Sequence, residues 1–169
     1  MFTKYEIMTN DMNKKVRFFS QSFTVSFRNR KKFKSFVEYI LTKEGKILNH
    51  INIVFCTDEE LRMLNIDFLK HDFYTDILTF DLSKINEEIT ADIYISLNRI
   101  RENAKIFNVP FSRELHRVMI HGILHLCGYK DKKSFDFKRI RAAEDKYLSK
   151  YFKRQVSYET RNISKKNFT

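Results

Sequence analysis

The sequence contains little glycine and proline: three glycines and one proline in 169 residues. Flexible linkers are rich in such residues, so their scarcity argues against several loosely tethered domains and favours a single one. The chain has two cysteines, each in an apolar stretch, which predicts free thiols rather than a disulfide framework. It has no bilayer-length apolar run, secretory pattern, internal repeat or glycine-rich phosphate loop. We therefore expect a cytoplasmic protein without a membrane partner.

Positive charge is in excess. The formal net charge is +11, and 43% of the residues are hydrophobic, enough for a folded core. A surplus of this size favours a polyanionic partner, most simply nucleic acid. The alternative explanation is a generally basic proteome or an effect on solubility.

Hydrophobic periodicity predicts alternating helices and strands. Strands are predicted over residues 23–27, 50–56, 77–80 and 89–96. Predicted helix starts are Asn29, Thr57 with its capping-box partner Glu60, Leu97, Ser112 and Ser134. About four strands and five or six helices indicate an α+β fold, in which helices cover one small mixed sheet. We expect a single domain over residues 1–152 and a basic, flexible tail over residues 153–169.

Residues 121–131 carry the clearest chemical signal. His121 and His125 are four residues apart, so a helix would place both rings on one face. Gly128 is typical of a helix end, and Asp131 follows on the turn, within reach of the histidine pair. Two imidazoles and a carboxylate are a common ligand set for a catalytic metal with one position open. The alternatives are a purely structural histidine pair, and Asp136 as the third ligand.

Three nearby residues bear on this interpretation. Gly122 lies within the predicted helix, where glycine costs about 1 kcal/mol relative to alanine, so it indicates close packing or a substrate requirement. Glu114, two turns before His121, is a candidate for orienting an imidazole. Glu144 lies on the apolar stripe of the last helix, so it must be paired or metal-linked if buried. Zincin proteases carry their glutamate base where Gly122 stands, which disfavours peptide hydrolysis of that type.

Two blocks of the chain resemble the YbeY endoribonucleases, a family of rRNA maturation factors. Residues 121–131, His-Gly-Ile-Leu-His-Leu-Cys-Gly-Tyr-Lys-Asp, are similar to the family signature His-Gly-x-Leu-His-Leu-x-Gly-Tyr-Asp-His. Residues 72–80, Asp-Phe-Tyr-Thr-Asp-Ile-Leu-Thr-Phe, are similar to its Asp-x-Pro-Thr-Asp-Val-Leu-Ser-Phe block. The likeness spans roughly residues 50–150 and departs at two positions. Asp131 stands at the family's third metal histidine, and Leu69 stands at a family arginine.

The resemblance implies a metal-dependent, single-strand-specific endoribonuclease in small-subunit (16S) rRNA 3′-end maturation and ribosome quality control. It implies that His121 and His125 are catalytic and, with Asp131, hold one Zn²⁺ ion, another divalent metal being the alternative. Asp131 adds negative charge to the ligand set, which should shift its preference toward harder metals. Glu144 falls on the family's late glutamate.

Without the family arginine, charge on the transition state would be neutralised by Lys70, His71 or Arg117. Thr75 and Asp76 match the second block, although a turn would explain them equally well. The implied partners are single-stranded rRNA, the small ribosomal subunit, ribosomal proteins and an assembly GTPase. The alternative function is a ribosome-assembly factor that binds RNA, with a structural metal and little catalysis. The net charge and the glycine after His121 disfavour a hydrolase of small molecules or peptides.

Overall fold

The computed structural model describes residues 6–7, 15–20, 29–84 and 88–166, with side chains from 15 to 153 within these ranges. The strands are β1 (Glu6–Ile7), β2 (Val16–Ser20), β3 (Leu48–Cys56), β4 (Ile77–Asp81) and β5 (Ile89–Ser96). The helices are α1 (Arg30–Lys43), α2 (Asp58–Leu64), a π-helical turn (Asn65–Leu69), α3 (Leu97–Ile106), α4 (Phe111–Leu126) and α5 (Ser134–Lys166).

The strands form one mixed sheet in the order β1-β2-β3-β5-β4. β2, β3 and β5 are parallel, whereas β1 and β4 run antiparallel to their neighbours at the two edges. The predicted α+β class and small mixed sheet are therefore confirmed. Neither the two-residue β1 nor β2 was predicted, and the strand predicted over 23–27 lies outside the described residues.

The sheet buries both of its faces. The larger core lies between one face and the helices α1, α4 and α5, and contains Ile51, Ile53 and Phe55 of β3. A smaller core joins Val54 and Cys56 of the same strand to α2. Alternate residues of a strand point to opposite faces, so the continuous apolar run of β3 serves two layers.

Two of the predicted helix caps are wrong. The capping box of Thr57 and Glu60 is present, but Asn29 has a left-handed backbone (φ 62°) and makes no side-chain cap bond. At α4, the Pro110 carbonyl already accepts the first bonds, from the amides of Arg113 (2.9 Å) and Glu114 (3.2 Å). The helix therefore begins before Ser112, which lies inside its first turn.

The helix α5 begins at Ser134 as predicted and continues to Lys166, through most of the segment predicted as a tail. The division into a domain over 1–152 and a flexible tail over 153–169 stays a prediction. Among the helices of the described ranges, none has both the length and the apolar character needed to cross a bilayer.

Candidate metal centre

Gly122 allows α4 to approach the sheet closely. A Cβ atom built there would lie 2.7 Å from Ile77 Cδ1, 3.1 Å from Thr79 Oγ1 and 3.3 Å from Ile93 Cγ2. The shortest of these contacts is below any ordinary van der Waals distance, so a side chain would push helix and sheet apart. This contact supports close packing as the reason for the glycine, and it sets the helix that carries His121 and His125 against β4 and β5.

The structure brings together the three predicted ligands. The Nε2 atoms of His121 and His125 are 2.8 Å apart, and Asp131 Oδ2 lies 3.7 Å and 3.5 Å from them, respectively. All three donor atoms lie within 4.8 Å of one another. Among the described residues, Asp136 is not part of this group. The three side chains are partly exposed, so the centre is open to solvent on one side.

Hydrogen bonds hold the two imidazoles by their other nitrogens. His125 Nδ1 lies 2.9 Å from the Tyr129 carbonyl oxygen, and His121 Nδ1 lies 2.8 Å from Glu144 Oε1. A carbonyl oxygen and an ionised carboxylate only accept, so each Nδ1 must carry a proton and donate it. In the neutral rings, both Nε2 atoms are then lone-pair donors that face each other.

This arrangement fits a divalent metal ion. Two unprotonated ring nitrogens 2.8 Å apart repel each other unless a proton or a metal ion lies between them. Asp131 supplies a carboxylate oxygen beside them, and imidazole and carboxylate are both ligands of zinc and its neighbours. The Nδ1 hydrogen bonds are the outer contacts typical of metal-bound histidines.

Glu144 is the buried partner of His121, with only 2% of its surface exposed. Arg117 Nη1 and Arg141 Nη1 contact its Oε2 atom at 3.1 Å and 3.0 Å. Burial raises the pKa of Glu144, but the hydrogen bond and charge of His121, together with the two arginines, outweigh it and lower the pKa. The predicted need for a partner at Glu144 is therefore confirmed.

Glu114 does not play the part predicted for it. It is buried on α4, and its burial raises its pKa, but no hydrogen bond joins it to His121 in the described part of the chain. The imidazole is oriented from α5 instead of from its own helix. Arg117 also contacts Asp145, at 2.8 Å, so its charge lies behind His121 and supports Glu144.

Lys70 and His71 lie on an exposed segment after the π-helical turn. Lys70 has a left-handed backbone (φ 59°), and its Nζ donates to the Asp67 carbonyl at 3.0 Å. The His71 ring stacks on Phe73, with centroids 5.3 Å apart. The described contacts connect neither side chain to the histidine pair, so their role in catalysis stays a prediction.

Thr75 and Asp76 have separate roles. Thr75 Oγ1 donates to the Ile77 carbonyl at 3.2 Å, as the turn explanation expects. Asp76 Oδ2 accepts a hydrogen bond from Asn103 Nδ2 at 3.2 Å. Burial raises the pKa of Asp76, and the nearby His121 opposes that rise. Asp76 therefore belongs to the electrostatic surroundings of the metal centre.

Sequence reasoning missed the Tyr129 carbonyl, Asn103 and Arg141. A backbone carbonyl has no sequence signal, and Asn103 on α3 is 27 residues away in sequence from Asp76, which directly precedes β4. Arg141 has a usable signal, because it lies three residues before Glu144 and thus beside it on a helix.

A family model described as Endoribonuclease YbeY matches residues 15–152. The chain belongs to the endoribonuclease YbeY family. This confirms the resemblance found in the two sequence blocks, both of which lie inside the match.

Curated relatives and a solved structure agree with this assignment. The Endoribonuclease YbeY of Cytophaga hutchinsonii is 42% identical over 132 residues, covering 78% of this chain and 92% of the relative. That of Flavobacterium psychrophilum is 42% identical over 137 residues, covering 81% and 97%. A solution structure of a Thermotoga maritima protein superposes with a TM-score of 0.55 at 32% identity, covering 85% of this chain and 93% of that one.

Proposed function

We propose that this protein is a metal-dependent endoribonuclease that hydrolyses phosphodiester bonds in single-stranded rRNA. Its task would be 3′-end maturation of small-subunit (16S) rRNA and ribosome quality control in the cytoplasm. The observation that carries the proposal is the convergence of His121, His125 and Asp131, with oriented rings, in a family whose relatives are named endoribonucleases. The proposed partners are the small ribosomal subunit, ribosomal proteins and an assembly GTPase.

His121, His125 and Asp131 would hold one ion, with Zn²⁺ as the first candidate. A divalent ion supplies Lewis acidity to a phosphoryl oxygen and lowers the pKa of an attacking water. The aspartate adds a hard, charged oxygen to the set, which supports manganese or another harder metal as the second candidate.

The remaining residues orient the ligands and balance charge. Glu144 and the Tyr129 carbonyl fix the tautomer and direction of the two rings. Arg117 balances the charge of Glu144 behind the centre. Lys70 and His71 are proposed to neutralise charge on the phosphate in the transition state from the solvent side.

The alternative function is a ribosome-assembly factor that binds RNA around a structural metal. Structural zinc sites are usually closed by four protein ligands, whereas here the structure shows a three-residue group, with 40% of the Asp131 side chain exposed. An open group of this kind favours the catalytic role.

The test is cleavage of a single-stranded RNA carrying the 3′ end of the small-subunit rRNA. We expect the purified, metal-loaded protein to cut it and His121→Ala to be inactive. His50→Ala is the matched histidine control, because that ring contacts Asn52 at 2.6 Å on β3 and should leave cleavage intact. Equal trace cleavage by all three proteins would indicate contamination and favour the binding role.

A further inference from the structure

The start of α5 combines exposed aromatic rings with positive charge, immediately after a metal-centre residue. Residues 130–139 contain five lysines and arginines against two aspartates, one of them Asp131. Two phenylalanines in this segment are largely exposed, Phe135 at 76% and Phe137 at 54%. Single exposed apolar residues are common on protein surfaces, so their position relative to the metal centre decides what they mean.

Phe137 lies on the face of α5 that leads to the metal centre. Phe137, Arg141 and Glu144 are spaced at i, i+4 and i+7, which places them in one row along the helix. Glu144 contacts His121 at one end of this row, and Phe137 lies about 10 Å away along the helix axis. The row thus runs from a buried carboxylate to an exposed ring.

Arg141 occupies the middle of the row and is half-exposed, with 42% of its side chain accessible. Its Nη1 contacts Glu144 Oε2 at 3.0 Å. A guanidinium has five N–H donors, so the contact with Glu144 leaves others available on this half-exposed side chain. These donors suit a phosphate group, whose oxygens can accept two parallel N–H···O hydrogen bonds from one guanidinium.

Phe135 provides an internal comparison. It precedes Phe137 by two residues, which on a helix is a rotation of about 200°. Its side chain therefore projects from the opposite side of α5. The two rings have the same chemistry and the same charged neighbourhood in sequence. They differ in whether they share a face with Glu144.

We propose that Phe137 is a stacking platform for an unpaired RNA base, with Arg141 binding the phosphate between that base and the metal centre. The inference rests on the proposed function and adds a substrate subsite to it. An aromatic ring can stack on the face of any base, but only when that base is not paired within a duplex. The platform therefore supplies a physical reason for single-strand preference beside the cleavage centre.

The test is RNA binding measured apart from cleavage. The zinc-loaded full-length protein is titrated on ice into a fluorescently labelled, unstructured oligoribonucleotide, and anisotropy gives Kd. A repeat with chelated metal gives binding without hydrolysis. Stacking of one base is worth about 1–3 kcal/mol, so we expect Phe137→Ala to weaken binding by roughly 5- to 140-fold. Phe135→Ala should change Kd by less than about twofold.

Two further variants separate stacking from general apolar contact. Phe137→Trp keeps a π face and should bind at least as tightly as the parent, whereas Phe137→Leu should bind as weakly as Phe137→Ala. All of these positions are exposed, so thermal unfolding should be unchanged. Equal effects at the two phenylalanines, or full binding by Phe137→Leu, would overturn the platform.

The outcome is independent of whether the protein cleaves RNA. Cleavage by the parent, with binding indifferent to Phe137, would remove the platform and leave the proposed function intact. Binding that depends on Phe137 without any cleavage would support the platform and contradict the endonuclease.

Discussion

The metal-centre histidines and the basic pair Lys70 and His71 have opposite surroundings. His121 and His125 stand on a helix packed against the sheet, and each ring is held by a hydrogen bond that its Nδ1–H donates. Lys70 and His71 lie on an exposed segment, and the described contacts of their side chains are with nearby residues, Asp67 and Phe73. A reactive side chain becomes part of a precise site when neighbouring elements fix its direction.

The largest effect is expected at the proposed metal ligands. His125→Ala removes one of the two facing Nε2 donors, so bound metal and cleavage should both be lost. Elemental analysis of the purified protein measures the metal, with His71→Ala as the exposed histidine control. Unchanged metal content in the His125 variant would remove that residue from the ligand set.

The second effect concerns the partner of His121. Glu144→Gln removes the negative charge of the carboxylate that accepts a hydrogen bond from His121. Arg117 and Arg141 then lose their anionic partner. Removing the hydrogen-bond partner of a metal-binding histidine typically lowers metal affinity about 10–100-fold, so we expect a loss in that range. Competition with a chromogenic chelator measures the affinity.

Glu114→Gln is the control for this experiment, because Glu114 is also a buried carboxylate but has no hydrogen bond to His121 in the described contacts. Its metal affinity should stay within about twofold of the parent, well short of the loss typical of an outer partner. A loss equal to that of Glu144→Gln would show that buried charge in general, rather than ring orientation, sets the affinity.

The third effect is on stability. Gly122→Ala places a methyl group 2.7 Å from Ile77 Cδ1, and overpacking of this kind destabilises by about 1–3 kcal/mol. Urea unfolding should show this lowered free energy of unfolding. Adding Ile77→Val removes the Cδ1 atom and should recover part of the loss. A Gly122→Ala protein as stable as the parent would mean that β4 can move away from the helix without a cost in stability.

The fourth effect is smaller and concerns the third ligand. Asp131→His restores the three-histidine set of the family signature, so zinc affinity should be kept or strengthened, while affinity for manganese should fall. Isothermal titration with each metal measures both. Complete loss of metal would show that the carboxylate charge of Asp131 is required. Unchanged affinity for both metals would indicate that residue 131 is not a ligand.

The smallest effect is expected in the exposed segment. Lys70→Ala and His71→Ala should each retain the full metal content, because neither side chain belongs to the described ligand group. Charges acting across solvent are worth about 1 kcal/mol or less, so we expect cleavage to slow by less than about tenfold. A much larger loss of kcat would mean that this segment closes over the substrate and that the contrast between the two regions disappears during catalysis.

Local features of this chain were predictable because they depend on neighbours in sequence. The four-residue spacing of His121 and His125, the capping box at Thr57 and the helix end at Gly128 all follow from backbone geometry over one or two turns. The start of α1 after Asn29 was predicted correctly, but Asn29 makes no side-chain cap bond. The start of α4 was less accurate, since a polar residue near a helix start does not determine which carbonyl accepts first.

Other features depend on how distant elements cross. Glu144 is 23 residues from His121 along the chain, and it is the packing of α5 on α4 that brings the two into contact. Glu114 and Glu144 are both glutamates that the sequence offers as partners of His121, and tertiary packing brings Glu144 into contact with it. Likewise, a glycine in a helix predicts some close neighbour, but only the sheet order identifies β4 and β5 as that neighbour. Side-chain pairs of this kind arise from helix positions in space, for which the local sequence contains no signal.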